Sequence, residues 1–395
     1  MIGKNITLKN TEVIVEESKV VFHQETSFLI KPYFRENLFI NYDIDLSEVP
    51  VSILNIPFVA NIYPMCWFLG ATLKVKSLDK NFFESIEKVK QEFAKFYPEI
   101  LFRNSKLIVE QLEETNHVSN NKAMLFSGGV DALYTYSRLD NQDVKLITIH
   151  GADIEIQNVS QWEKIKSITK SLELTKSNPY FFIKSNVRRF YRSKTEKLIF
   201  NNNQDWWTLI QHGLSLTSLI APIAYKNNIG EIYIGSTLDT SKDFLPWGSS
   251  YIDNYIAWAS TQVIHHGQEA NRFTKMRLLC DYFQEKKIPT PFRVCYYNKN
   301  TKGSTSSLVY YNENAQLNDI IKTKENLIKE QGKNRLEIIN FDKVIKEVSS
   351  VTNIKNVKSI NGKLKFVAPF LLIFIFLISS MLLKFYQKLK VKYNK

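Results

Sequence analysis

Cysteine is scarce in this chain: three residues in 395. That excludes a disulfide-stapled fold and any four-cysteine zinc site. Glycine (13) and proline (11) are sparse, which excludes collagenous and low-complexity architectures. No G-x-x-x-x-G-K-[ST] loop occurs, so the chain carries no Walker phosphate loop. There is no Ser/His/Asp order of a hydrolase and no zinc-protease helix. The first thirty residues are charged throughout and show no apolar core with a cleavage site, so no signal peptide and a reducing, cytosolic setting are expected. Acid is missing from one region altogether. Residues 351–395 hold nine lysines and no Asp or Glu, so the formal charge of +13 leaves only +4 for the first 350 residues. The basicity is a property of the tail and gives no reason to expect direct nucleic-acid binding.

What is present is ample for a core, with 44% hydrophobic and 13% aromatic residues. Phe366–Leu383 is an uncharged run of 18 residues flanked by lysines. As a helix it would be ~27 Å long, just enough for a hydrocarbon core of about 30 Å. Phe and Leu cover all of its faces, and the lysines suit lipid headgroups. A transmembrane tail helix over 366–383 is the expectation, with membrane lipid as its partner.

The pattern divides the rest into an N-terminal α+β module (1–118), an α/β domain (119–297) and a polar, partly helical extension (298–365). The first module has alternating stretches at Glu12–Glu16 and Lys19–Phe22. An apolar run follows at Ile56–Val75, interrupted by Pro57, Pro64 and Gly70, and an amphipathic helix is predicted over Asn81–Tyr97. A polar linker covers Thr115–Asn121. From there strands are predicted at Lys122–Phe126, Val144–His150, Asn178–Ser185 and Glu231–Ser236. Helices are predicted from Asp131 to Leu139 and over Ser160–Leu174, Trp206–Lys226 and Asn271–Lys287. Strands separated by helices predict a parallel sheet with helices on both faces.

The sharpest local feature is Ser127-Gly128-Gly129-Val130-Asp131, directly after a strand and directly before a helix. In a parallel sheet this is the carboxyl edge, where ligands bind. Two glycines let the backbone turn close to an anion, and the loop N–H groups with the helix N-terminus favour phosphate. Ser127 adds a hydroxyl. Asp131 is wrong for direct phosphate contact and right for holding Mg²⁺ against one. His265-His266 reads as a plain loop. Arg188, Arg189 and Arg192 suit either a phosphate or a solvated turn, and His150-Gly151 either an adenine pocket or a simple turn.

This pentapeptide resembles the SGGxD[ST] motif of the PP-loop ATP pyrophosphatases, and within that superfamily the chain is similar to 7-cyano-7-deazaguanine synthase-like proteins over roughly residues 55–297. Gly235-Ser236-Thr237-Leu238-Asp239, Asn271-Arg272-Phe273-Thr274-Lys275 and Val294-Cys295-Tyr296 follow in the family's order. The resemblance implies an adenine nucleotide alpha hydrolase-like fold that binds ATP and Mg²⁺. It implies adenylation of a carboxylate or amide oxygen on a small-molecule substrate, with release of pyrophosphate, and then attack by a nitrogen nucleophile. It places ATP on Ser127, Gly128, Gly129, Val130, Asp131, Gly235, Ser236, Asp239 and Arg272. Asp131 is the metal ligand, and Asp131 and Lys275 are the catalytic groups. Two positions depart from the family. Ala132 stands where Ser or Thr is usual, and of four zinc cysteines only Cys295 remains, so no zinc is expected. Those departures suit a second expectation, a membrane-tethered nucleotide-binding pseudoenzyme or interaction protein. A third is an amidotransferase resembling asparagine synthetase, although no N-terminal Cys nucleophile is present.

Overall fold

The computed structural model describes residues 4–14, 18–98, 100–115, 119–139, 143–199, 205–236, 250–288, 290–293 and 308–311. All belong to the first of two units, 1–326. Residues 366–383, Asp239, Cys295 and most of 298–365 lie outside them. Among the described residues no helix is long and apolar enough to cross a membrane.

Eleven strands share one sheet. In chain order they are β1 (Asn5–Ile14), β2 (Lys19–Thr26), β3 (Phe39–Tyr42), β4 (Thr72–Asp79), β5 (Lys106–Glu113), β6 (Asn121–Leu125), β7 (Lys145–His150), β8 (Tyr180–Ser185), β9 (Ile229–Gly235), β10 (Ala257–Trp258) and β11 (Thr261–His266). Across the sheet the order is β10-β11-β9-β6-β7-β8-β3-β2-β1-β4-β5. Strands β11, β9, β6, β7 and β8 run parallel, as do β1, β4 and β5, while β2, β3 and β10 make the antiparallel pairs. The fold is thus α/β with a largely parallel mixed sheet. The polar stretch at 115–121 falls between β5 and β6, and the sheet continues across it through Ile40–Tyr42 of β3 beside Ile183–Ser185 of β8.

The described residues also include nine α-helices, α1 (Val51–Leu54), α2 (Ile56–Leu69), α3 (Lys80–Ala94), α4 (Val130–Arg138), α5 (Val159–Ser171), α6 (His212–Ser218), α7 (Ala221–Lys226), α8 (Ser250–Asp253) and α9 (Arg272–Lys286), and a separate antiparallel pair of strands, Thr290–Arg293 and Leu308–Tyr311. Several helices begin or end for local reasons. Asp79 caps α3 by accepting from Phe82 N (2.9 Å), and Asn271 caps α9 by accepting from Thr274 N (2.9 Å). Helix α3 buries Phe82, Ile86, Val89 and Phe93, the stripe its spacing predicts. The apolar run at Ile56–Val75 becomes α2 followed by β4. Helix α2 is buried almost all round and ends at Gly70, whose φ of +59° suits glycine.

One expected helix is broken. Trp206–Lys226 folds as a π-turn (Trp207–Gln211), then α6, then α7. Pro222 has no N–H to offer the Ser218 carbonyl, and it falls in the first turn of α7, where that N–H is not needed. Its polar residues turn inward: Gln211 donates to Asn61 Oδ1 of α2 (2.7 Å).

A large buried cluster lies on one face of the sheet. Ala123, Ile147, Ile149, Ile232, Ile234 and Val263 point into it and meet residues of α2, α3, α6 and α7. Their neighbours Met124, Leu146 and Tyr233 point to the opposite face by strand alternation. On that face α4 packs against α9 and β9. Strand β7 is buried on both faces beyond Lys145, so KLITIH shows no alternation between a buried and an exposed side.

Candidate functional site

Strand order decides where a ligand would sit. From β6 the chain moves to β7 and β8 on one side, then returns to β9 and β11 on the other. The order reverses between β6 and β9, and their carboxyl ends form the switch point of the parallel set. Ser127–Asp131 lies there, between β6 and α4.

Gly128 has φ +68°, a left-handed turn that glycine adopts without strain. The Gly129 N–H donates to Ser127 Oγ (3.3 Å), which folds the loop on itself. Helix α4 then starts with no side chain capping its N-terminus. Its first-turn N–H groups and positive dipole end face the switch point. Val130 anchors the turn, being buried, and Ala132 is buried just beyond Asp131.

Gly235 closes β9 against this loop. A Cβ there would lie 2.8 Å from the Asp131 carbonyl oxygen and 3.3 Å from Thr135 Oγ1. Only glycine lets β9 and α4 approach so closely. Ser236 follows, fully buried, and its backbone N–H donates to the His266 carbonyl (2.8 Å).

Lys275 enters from the first turn of α9. It is 1% exposed, and its ammonium donates to Asp131 Oδ1 (3.2 Å) and to the Ser236 carbonyl. The Asp131 side chain retains 18% exposure. A lysine is almost never so buried unless its charge is paired, and here the carboxylate and a backbone carbonyl do this together. Of the residues expected at the site, the fold brings together Ser127, Gly128, Gly129, Val130, Asp131, Gly235, Ser236 and Lys275. Arg272 is the first residue of α9. Asp239 lies outside the described residues.

Several neighbours carry no signal in the sequence. Tyr134, one turn along α4, donates to Glu269 Oε1 (2.9 Å) and lies under both Lys275 (5.7 Å to the ring centroid) and Arg138 (5.3 Å). Gly267, at φ +90°, would push a Cβ to within 3.2 Å of the Tyr134 ring. His266 Nδ1 is 3.2 Å from Thr135 Oγ1. Burial lowers the His266 pKa; Lys275, His265 and Arg138 add to this against the pull of Glu269. Burial alone would raise the Glu269 carboxyl. Its own backbone N–H, the Tyr134 hydroxyl and the nearby His266 and Lys275 outweigh that and hold it below the usual range.

The expectation of a loop at His265-His266 is corrected: both close strand β11, so their side chains point to opposite faces. His265 is buried in the other face, with Nδ1 2.8 Å from Asp253 Oδ2. His150 does not open toward a ligand. It is buried with its ring stacked on Trp162 (4.7 Å, 3°), and burial lowers its pKa. Arg188 donates to the Ala152 carbonyl (3.2 Å) and lies over Trp207, and Arg192 donates to the Phe34 carbonyl (2.6 Å). Both hold the segment after β8 in place.

Among the described residues no group of three or more His, Cys, Asp or Glu could hold a metal ion. Mg²⁺ asks for less. It binds through one or two carboxylates together with phosphate oxygens and water, which the partly exposed Asp131 fits. Comparison with protein-family models, with curated proteins and with solved structures returns no match.

Proposed function

We propose that this chain is an ATP-dependent enzyme of the PP-loop type, with an adenine nucleotide alpha hydrolase-like nucleotide domain. The observation that carries the reading is the meeting of Lys275 with Asp131 beside an uncapped helix N-terminus at the switch point of the parallel strands. In this reading the loop from Ser127 to Val130 and the start of α4 bind phosphate oxygens. Asp131 would hold Mg²⁺, and the ion would supply charge neutralisation for the leaving pyrophosphate. A carboxylate or amide oxygen of a small substrate attacks the α-phosphorus, and the bond to the β-phosphate oxygen breaks. A nitrogen nucleophile then attacks the adenylated carbon, loses its proton and expels AMP. Lys275 has three N–H donors and spends two on Asp131 and Ser236. Buried at 1% exposure and over the Tyr134 ring, the lysine would act on the pyrophosphate through its charge and by holding Asp131 in place.

A second reading, nucleotide binding without turnover, draws on Ala132, which offers no hydroxyl to a phosphate. One experiment separates them. Purified protein is incubated with ATP, Mg²⁺, hydroxylamine as a general nitrogen nucleophile and a panel of carboxylic acids. AMP and hydroxamate that vanish in Asp131→Ala support the enzyme. Tight ATP binding with no AMP across the panel supports the second reading.

The run Phe366–Leu383 completes the proposal as a membrane anchor, with the body on the ATP-containing cytoplasmic side. Deleting residues 366–395 should release the protein from carbonate-washed membranes; retention of the truncated chain would refute the anchor.

A further inference from the structure

Strand β5 ends the sheet, and no strand of the described residues pairs with its outer side. An edge of eight residues is a template for another strand. Its sequence is Lys106-Leu107-Ile108-Val109-Glu110-Gln111-Leu112-Glu113, and Ile108 and Leu112 are 45% and 44% exposed. At the C-terminal end the acidic side chains are engaged: Glu113 accepts from Ser52 and Ser77, and Glu114 pairs with Lys80. The N-terminal half is open, and Lys106 and Glu110 are exposed without an ion pair among the described residues.

Hydrogen-bond polarity limits the possible registers. Lys106 N–H points to β4, donating to the Ala71 carbonyl (3.2 Å). A residue's N–H and C=O lie on the same side of a strand and alternate along it. Leu107, Val109 and Gln111 therefore present theirs outward. A twofold axis perpendicular to the sheet pairs residues of the same face. Centred on Glu110 it would oppose two like charges. Centred on Val109 it would oppose Ile108 to Glu110 and Lys106 to Leu112. Centred on Ile108 it opposes Lys106 to Glu110 twice, Leu107 to Val109 twice, and Ile108 to itself. Opposite charges and apolar pairs stabilise cross-strand neighbours, whereas like charges destabilise them.

We infer that β5 pairs antiparallel with the β5 of a second copy of this chain, about a twofold axis at Ile108, which makes one sheet across both protomers. The inference is independent of the nucleotide reading. Leu107 and Val109 exchange the backbone hydrogen bonds, and Ile108 forms a non-hydrogen-bonded pair whose Cα atoms lie about 4.5 Å apart. A five-residue strand pair is small beside the roughly 1,200 Å² of a stable interface, so association is concentration-dependent and a covalent trap is the sensitive probe.

The test uses the full-length protein in mild detergent. In Ile108→Cys the two thiols fall within the ~4.4–6.8 Å Cα range of a disulfide. In Leu112→Cys they lie ~27 Å apart along the strands. Mild oxidation should convert Ile108→Cys to a covalent dimer and leave Leu112→Cys and the wild type monomeric on non-reducing gels. In the Ile108→Cys background, Lys106→Glu or Glu110→Lys alone should slow cross-linking about two- to fivefold, and the double reversal should restore it. The inference is overturned if neither cysteine cross-links, if both do equally, if the double reversal fails to restore the rate, or if Ile108→Cys in native membranes joins a different protein.

Discussion

The Lys275 ammonium lies 3.2 Å from Asp131 Oδ1, although the two residues are 144 positions apart in the chain. The pair joins the first turn of α9 to the first turn of α4, and the Ser236 carbonyl at the end of β9 completes the contact. Lys275→Met keeps the apolar stem and removes the charge. Breaking a buried pair typically costs about 3–5 kcal/mol, and the solvent access of Asp131 reduces this to about 2 kcal/mol. Urea denaturation should show that loss, and AMP formation should disappear. The double variant Lys275→Met/Asp131→Asn should cost less than the two single changes combined, because no lone charge is left behind. Additivity within about 0.5 kcal/mol would show that the two groups are not coupled.

Gly235→Ala tests the close approach of β9 to α4. The new methyl would meet the Asp131 carbonyl oxygen at 2.8 Å, and backbone cannot rotate aside as a flexible side chain does. Overpacking of this kind costs about 1–3 kcal/mol. The shift falls on the loop that carries Asp131, so ATP affinity measured by calorimetry should weaken together with stability. A variant of wild-type stability and affinity would mean that the strand end and the loop can separate freely.

Acid should destabilise the fold through two imidazoles, His150, which is buried, and His266, which is half-buried. Burial holds His150 and His266 below their ordinary value of 6.5. The unfolded chain therefore takes up these protons at a higher pH than the folded chain. Their contribution is fully present above about 6.5 and is lost as pH falls through the folded values. The carboxyls of Asp43, Asp79 and Glu196, raised by burial, act in the opposite sense. Their contribution is present below the ordinary 3.8 and 4.5 and is lost as pH rises through their folded values. Comparing wild type with His266→Gln isolates one imidazole. Urea midpoints between about pH 5.5 and 7.5 should rise less steeply in the variant, and equal slopes would contradict the depressed pKa.

The parts of this site that were legible in the sequence are the local ones. Ser127–Asp131 announces itself because a strand, two glycines and a helix start are contiguous. Lys275 was pointed to by the order of the later segments in the family the chain resembles. His266, Tyr134 and Glu269 were not legible, because they meet only when β9 and β11 fold back beside β6, and no residue of β11 encodes its neighbour. Strand β11 alternates in burial, but its polarity does not follow: Thr261 and His265 are on the buried side with Val263, and Ile264 is on the outer side with Gln262, so the paired histidines read as a loop. The pairing of β3 with β8 is not legible either, since Ile40–Tyr42 and Ile183–Ser185 are brought together by tertiary packing alone. In Trp206–Lys226 the apolar length outweighed Pro222, although that residue was the visible signal for the break.

Ala132 offers the most direct measure of whether the loop holds phosphate. It is buried in the first turn of α4, one residue beyond Asp131. A serine there would place a hydroxyl beside the N–H groups that are proposed to bind the anion. A hydrogen bond to a charged group contributes about 1.5–3 kcal/mol, and each 1.4 kcal/mol is tenfold in affinity. Ala132→Ser should therefore tighten ATP binding by about tenfold or more in a calorimetric titration. A buried hydroxyl without a ligand is a cost, so the same substitution should slightly destabilise the ATP-free protein. The two effects have opposite signs, and that opposition makes the variant informative. Tighter binding with lower ATP-free stability places the hydroxyl against phosphate. Lower stability with unchanged affinity would mean that the side chain has turned to a helix carbonyl, and that the anion, if it binds, does not reach the first turn of α4.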